Sequence, residues 1–356
     1  MKKFFAVLFS TILCVSVPLS LTSCNSGITL HVYNWGEYID DKDFDVNAQF
    51  TKETGIKIKY DTYENNEDMH SKLKAGAAQY DIVFPSDYMA GQMIEEGMLA
   101  KLDFSNIPNY SLIDDAYKNL PYDPNNEYTV PYMWGVVGIF YNSKYVDAAD
   151  LSQGWDLLWD AKYKGKICMF DNQRDAFAVA LQKLGYSINS TDPTQWQAAY
   201  DELVKQKPLL YAYRNDQVYE DMINENAWIA PYYAGDAMIM CNTEDDAGGN
   251  GNVKVFIPSS GTNFFVDTVC VTSTCKYQKE AEEYINFLCR TDVALANAEY
   301  IGYSTPQKEA RQELPATQWD DVFYPSADVM AKTEMMLTQS DSINTLMNDL
   351  WVKLKT

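Results

Sequence analysis

Between residues 28 and 97 the chain switches repeatedly between two hydrophobic periods. Ile28, Leu30 and Val32 alternate with polar neighbours, as in a half-buried strand. Residues 43–54 then place Phe44/Ala48 and Val46/Phe50 four apart, on one helix face, with Gly55 as the stop. Ile56, Ile58 and Tyr60 alternate again. Met69/Leu73 mark a second helix ending near Gly76, residues 81–84 read as a short buried strand, and Met89/Met93 mark a helix running to Gly97. Strands that alternate with helices predict an α/β chain, with mostly parallel strands and helices on the sheet faces. In such sheets ligands bind beyond the carboxyl ends of the strands. Residues 33–38 and 85–88 occupy those ends. Further on, residues 130–142 form a long apolar strand pattern. Asp192 reads as an N-cap, with Pro193 and Gln195 opening the helix of Trp196, Tyr200 and Leu203. Helices follow near 278–290 and 291–300, then a helical C-terminal region.

The first residues carry an address rather than fold. Lys2 and Lys3 precede an apolar run from Phe4 to about Val17, and Leu21-Thr22-Ser23-Cys24 closes the segment. A charged start, a short apolar core and small residues form a secretory signal over 1–23, too short to span a membrane. Cys24 after Leu-Thr-Ser resembles the lipobox of bacterial lipoproteins. That resemblance implies acylation at Cys24 and a chain tethered outside the cytoplasmic membrane.

Removing residues 1–23 takes away two lysines and no acid, leaving 26 basic against 50 acidic residues and a charge of −24. No basic face exists to displace phosphate counterions, so nucleic acid is excluded as a partner. The sign of the field suits a cationic ligand. Five cysteines follow Cys24 with no C-x-x-C pair, and His31 and His70 are the only histidines. Neither a disulfide framework nor a metal site is expected, and no cofactor. Gly248-Gly249-Asn250-Gly251 lacks the third glycine and the preceding strand of a dinucleotide loop.

Four segments share one composition, an aromatic with a carboxylate: Trp35-Gly36-Glu37-Tyr38, Ser86-Asp87-Tyr88, Tyr232 to Asp236, and Phe264 to Thr268. All four are expected in loops at strand ends. Residues 171–175 add acids without a ring. Carboxylates accept charge-assisted bonds from ammonium groups, about 1.5–3 kcal/mol each. Ring faces cover methylenes and attract cations, about 0.5–2 kcal/mol each.

Tyr33-Asn34-Trp35-x-Glu37-Tyr38, residues 50–57, Pro85-Ser86-x-Tyr88, residues 163–166, residues 184–187 and Ile301-Gly302-Tyr303-x-Thr305-Pro306 match in order a family that this chain resembles. It is the spermidine/putrescine-binding family of bacterial ABC transporters, and the match covers essentially the whole mature chain. The resemblance implies a type II periplasmic-binding-protein fold, with two α/β lobes and ligand in the cleft between them. Residues 24–131 with about 267–311 would form lobe 1, and about 132–266 with 312–356 lobe 2. It also implies an extracytoplasmic, monomeric receptor that hands a polyamine to an inner-membrane permease and catalyses nothing.

Carried onto this sequence, Trp35 and Tyr38 would pack on or near methylenes, and Ser86 and Tyr88 would offer hydroxyls. Glu37 falls within the same matching motif. Tyr233 and Phe265 fall at aromatic wall positions and Tyr303 at the far wall. Asp267 falls at the central carboxylate position and Asp175 at a terminal-amine position. Gln339 is the candidate for a C-terminal glutamine. Asn172 stands where spermidine binders carry Asp, whereas Asp236 and Phe265 lean toward the putrescine pattern. Two alternatives remain at this stage. One is the same fold binding an oligosaccharide or a cationic amino acid. The other is a secreted glycosidase using paired carboxylates, although no hydrolase elbow or His-Glu-x-x-His is present.

Overall fold

The computed structural model describes residues 27–356 apart from 77, 243–247 and 316–320. The expected signal segment and Cys24 lie outside the described residues. Among the described residues, no helix is long and apolar enough to cross a membrane.

Among the described residues the strands are β1 (Thr29–Trp35), β2 (Lys57–Tyr63), β3 (Ile82–Val83), β4 (Thr129–Asn142), β5 (Ile167–Phe170), β6 (Leu210–Arg214), β7 (Ile229–Tyr233), β8 (Val253–Phe256), β9 (Asn263–Val271) and β10 (Glu334–Met335). Their order is β2-β1-β3-β9-β4-β7-β5-β6, with β10 on β9 and β8 on β4. Parallel pairs lie mainly on the flanks, β1 with β2 and β3, and β5 with β6 and β7. The centre is antiparallel, because β4 and β9 run from one flank to the other in opposite senses. β4 is buried at all but one position, as a central strand covered on both faces must be. Pro131 cannot donate to the ladder, and the β4–β9 register shifts between it and Met133.

The first helix is Val46–Thr54 rather than one starting at Asp43. The Asp40 carboxylate accepts the N–H groups of Lys42, Asp43 and Phe44 and holds that stretch in a turn. Asp45 then caps the helix, and Gly55 ends it at φ 78°. Helices Asn66–Lys74, Asp87–Glu95, Gln278–Leu288 and Thr291–Ile301 cover the β2–β1–β3 flank; Phe50 meets the edge of Tyr284 at 5.0 Å there. Gln173–Lys183 and Pro193–Gln206 cover the other flank, the second capped by Asp192 as its sequence predicts. The C-terminal helix Asp341–Lys355 returns to that second flank, where Trp351 packs near Phe177 and Tyr213.

Candidate functional site

A cavity of about 120 Å³ opens where the two flanks meet. Most of its walls come from the carboxyl ends of β1, β2, β5, β6 and β7 and from the turns that follow them. β9 is the exception. Phe265 and Asp267 were expected in a loop but lie in the middle of a strand, with side chains delivered by the pleat. Both face the cavity because alternate residues share a face.

Three buried aspartates receive tyrosine hydroxyls. Asp267 accepts from Tyr38 Oη and from Ser86 Oγ, both at 2.6 Å. Ser86 stands at the N-cap of helix Asp87–Glu95 yet makes no side-chain cap, since its hydroxyl is committed to Asp267. Asp236 accepts from Tyr219 at 2.6 Å and Tyr303 at 2.8 Å. Asp175 accepts from Tyr233 at 2.8 Å, while Asn172 caps the backbone N–H of Asp175. The rings form a continuous wall. Tyr38 meets the edge of Tyr303 at 5.3 Å, Tyr303 lies 6.1 Å from Phe265, and Phe265 lies 5.4 Å from Tyr233. Gly235 makes the close approach of Tyr303 feasible, because a Cβ there would sit 2.4 Å from the ring. Trp35, half-buried, donates Nε1–H to the Phe84 carbonyl and leans on Tyr63. Glu37 is exposed and lines the cavity from a left-handed turn at φ 49°.

Burial raises the affinity of these acids for protons. It pushes Asp236 up to about 7 against the pull of the Tyr219 and Tyr303 hydroxyls, with the Asp216 and Glu37 charges adding to the rise. It pushes Asp267 up to about 6 against Ser86 and Tyr38, with Asp175 adding to the rise. Asp175 is likewise raised by burial, with Tyr233, Asn172 and Arg174 opposing. No described cation sits inside the cavity to offset the desolvation. Glu37, Glu64, Asp87, Asp175, Asp216, Asp236 and Asp267 all line it, and none of its described lining residues is Lys, Arg or His. Arg174, the basic residue among the candidate segments, is turned out of it and donates from Nη2 to the Leu337 carbonyl at 2.8 Å.

Two of the candidate residues are placed apart from the rest. Gln339 is outside this lining; it lines an adjoining cavity that shares Tyr88 with the first. Its segment follows β10, whose pairing with β9 carries residues 337–339 behind Tyr88 rather than into the cleft. The Tyr88 hydroxyl is also diverted, donating to Glu67 at 3.0 Å. Conversely, Tyr63, Phe170, Asp216 and Tyr219 line the cavity although they were not singled out. Each lies at or just beyond the end of β2, β5 or β6, so the strand-end rule applied to every strand would have found them.

Two α/β halves, joined by strands that cross between them and holding a cavity at their junction, define the type II periplasmic-binding fold of solute receptors. The chain belongs to the family of bacterial extracellular solute-binding proteins, which matches residues 46–325. It is 37% identical over 345 residues to the spermidine/putrescine-binding periplasmic protein of Salmonella typhimurium, covering 96% of this chain and 95% of that one. It superposes on a putative spermidine/putrescine ABC transporter from Listeria monocytogenes with a TM-score of 0.84 at 33% identity, covering 92% of this chain and 99% of that one. The spermidine/putrescine substrate-binding protein PotD of Streptococcus pneumoniae gives a TM-score of 0.78 at 37% identity, covering 92% and 98%.

Proposed function

We propose that this protein is an extracytoplasmic polyamine receptor that captures a spermidine- or putrescine-like amine and presents it to an ABC transporter permease. One observation carries the reading: a buried, ring-walled cavity lined by seven carboxylate residues and no described basic residue. A slender multiply protonated amine supplies the missing charge along its length, and its methylenes cover the rings. Asp267, Asp236 and Asp175 take ammonium groups. Trp35, Tyr38, Tyr233, Phe265 and Tyr303 contact the chain, and Ser86, Glu37, Tyr88 and Asn172 frame it. A few charge-assisted bonds and ring contacts, less the ordering and desolvation costs, suffice for the roughly −8 kcal/mol of a micromolar complex. An amino-acid ligand is disfavoured, because its carboxylate would meet seven acidic residues and no described basic residue, while Arg174 points elsewhere.

Residues 24–131 with about 267–311 move as one lobe and about 132–266 with 312–356 as the other, closing on ligand because it touches both. Acylation at Cys24 holds the monomeric receptor at the outer face of the membrane. The protein binds without turnover. Titration calorimetry with putrescine, spermidine, spermine, a sugar panel and an amino-acid panel tests this. Heat from polyamines alone, with ligand recovered unchanged, is the expected result. Binding only of sugars or amino acids, or conversion of the ligand, overturns it.

A further inference from the structure

Tyr88 faces two ways. Its ring lines the cleft, while its hydroxyl is held on its own side by Glu67 and Asn66. The ring also packs against Ala178, Ile188 and Met336, with the Arg174 guanidinium 5.6 Å from its centroid. Tyr88 stands on helix Asp87–Glu95 of the β1-containing flank. Ala178 and Arg174 stand on helix Gln173–Lys183, and Ile188 just after it, on the β5-containing flank. This contact therefore joins the two halves at a place away from the crossing strands.

Three residues further along the same helix, Gly91 is buried, and a Cβ there would lie 2.8 Å from Thr338 Oγ1. A glycine inside a helix weakens it; here its bare backbone lets the 336–339 segment lie against the helix. Arg174 is tied to that segment through Leu337, is only 4% exposed, and has no described carboxylate within ion-pairing distance; its Nε donor lacks a partner. A buried guanidinium without a carboxylate is costly. The Tyr88 ring face offsets part of that cost, but the contact is too weak by construction to hold the halves together alone.

We propose that Tyr88 seated under Arg174, together with the Gly91–Thr338 approach, is a closure latch between the lobes, held shut when ligand packs on the cleft-facing side of the Tyr88 ring. The latch rests on the receptor reading for the nature of its ligand, and on geometry for the rest. Gly91→Leu adds a side chain outside the cleft lining that meets Thr338 at 2.8 Å and Tyr122 of its own half at 3.5 Å, so circular dichroism first confirms the fold while the 336–339 segment is pushed off. Arg174→Met keeps the stem and removes the cation. Stopped-flow kinetics should show each variant releasing putrescine and spermidine about tenfold faster, with association little changed, as befits loss of a contact made after docking. Small-angle scattering should show the ligand-free Gly91→Leu protein more open than wild type. Unchanged release rates in both folded variants, or a loss confined to one amine, overturns the latch. Should wild type bind no polyamine at all, the ligand reading fails; the latch then stands if scattering separates Gly91→Leu from wild type, and falls if the two profiles coincide.

Discussion

Two cavities meet at Tyr88, and they differ in the charge of their walls. The adjoining cavity is of comparable extent. It too is lined by polar side chains, among them Glu67, Gln92, Gln339 and Asn348. Yet Arg174 and His70 reach it, whereas every described charged residue of the cleft is an acid. Size and polarity are therefore poor guides. The cleft differs in holding buried negative charge with no internal counter-ion, a state that an entering cation relieves.

That contrast can be broken at its strongest point first. Asp267→Asn keeps the shape but removes the central charge and leaves one acceptor for the two hydroxyls of Tyr38 and Ser86, and should weaken polyamine binding by about 2–5 kcal/mol in calorimetry. An unchanged affinity would remove Asp267 from its role. Next is pH. Cation binding favours ionised Asp236 and Asp267, which hold protons up to about 7 and about 6 when empty. Affinity should therefore fall by roughly ten- to a hundredfold from pH 8 to 5.5, at up to about 1.4 kcal/mol per unit for each group. The ligand-free protein should show the opposite trend. A carboxyl whose folded value is raised gives stability below its unfolded value of about 3.9, and that stability is lost as pH rises through its folded value. Melting of empty protein should thus weaken between pH 4 and about 7 on account of these two groups. A flat pH profile in both experiments would sink the buried-charge account.

Tyr303→Phe tests the supporting layer. It takes one donor from Asp236 and should cost about 1 kcal/mol of amine affinity, with a further rise of the Asp236 titration visible by NMR. The smallest effect is expected across the boundary. Gln339→Ala, in the adjoining cavity, should leave affinity within about 0.5 kcal/mol; a loss as large as that of Tyr303→Phe would move it back into the site.

The architecture was legible where one period dominates. The β1–β3 unit, its helices and the long β4 strand follow from spacing, and Gly55, Gly76 and Gly97 all take positive φ where helices were expected to stop. The start of the first helix was not, because the Asp40 carboxylate, five residues before Asp45, takes the N–H groups of Lys42, Asp43 and Phe44. Most site residues were legible as acid-and-ring segments at strand ends. The strand position of Phe265 and Asp267 was hidden, because a buried strand reads like any short apolar run. Tyr219 was hidden for a different reason: its partner Asp236 lies in another strand-end turn, and only the sheet order brings the two together. Gln339 shows the converse, a residue type that suits the chemistry but stands behind the wall.

β4 and β9 belong to both flanks at once. Neither half is thus a module that recombination could lift out through a single junction. An exchange of one half between relatives must cut the chain within both β4 and β9, and a break in either alone strands pieces of both. Amine preference in such a chain changes more readily by point substitution on the walls than by swapping halves.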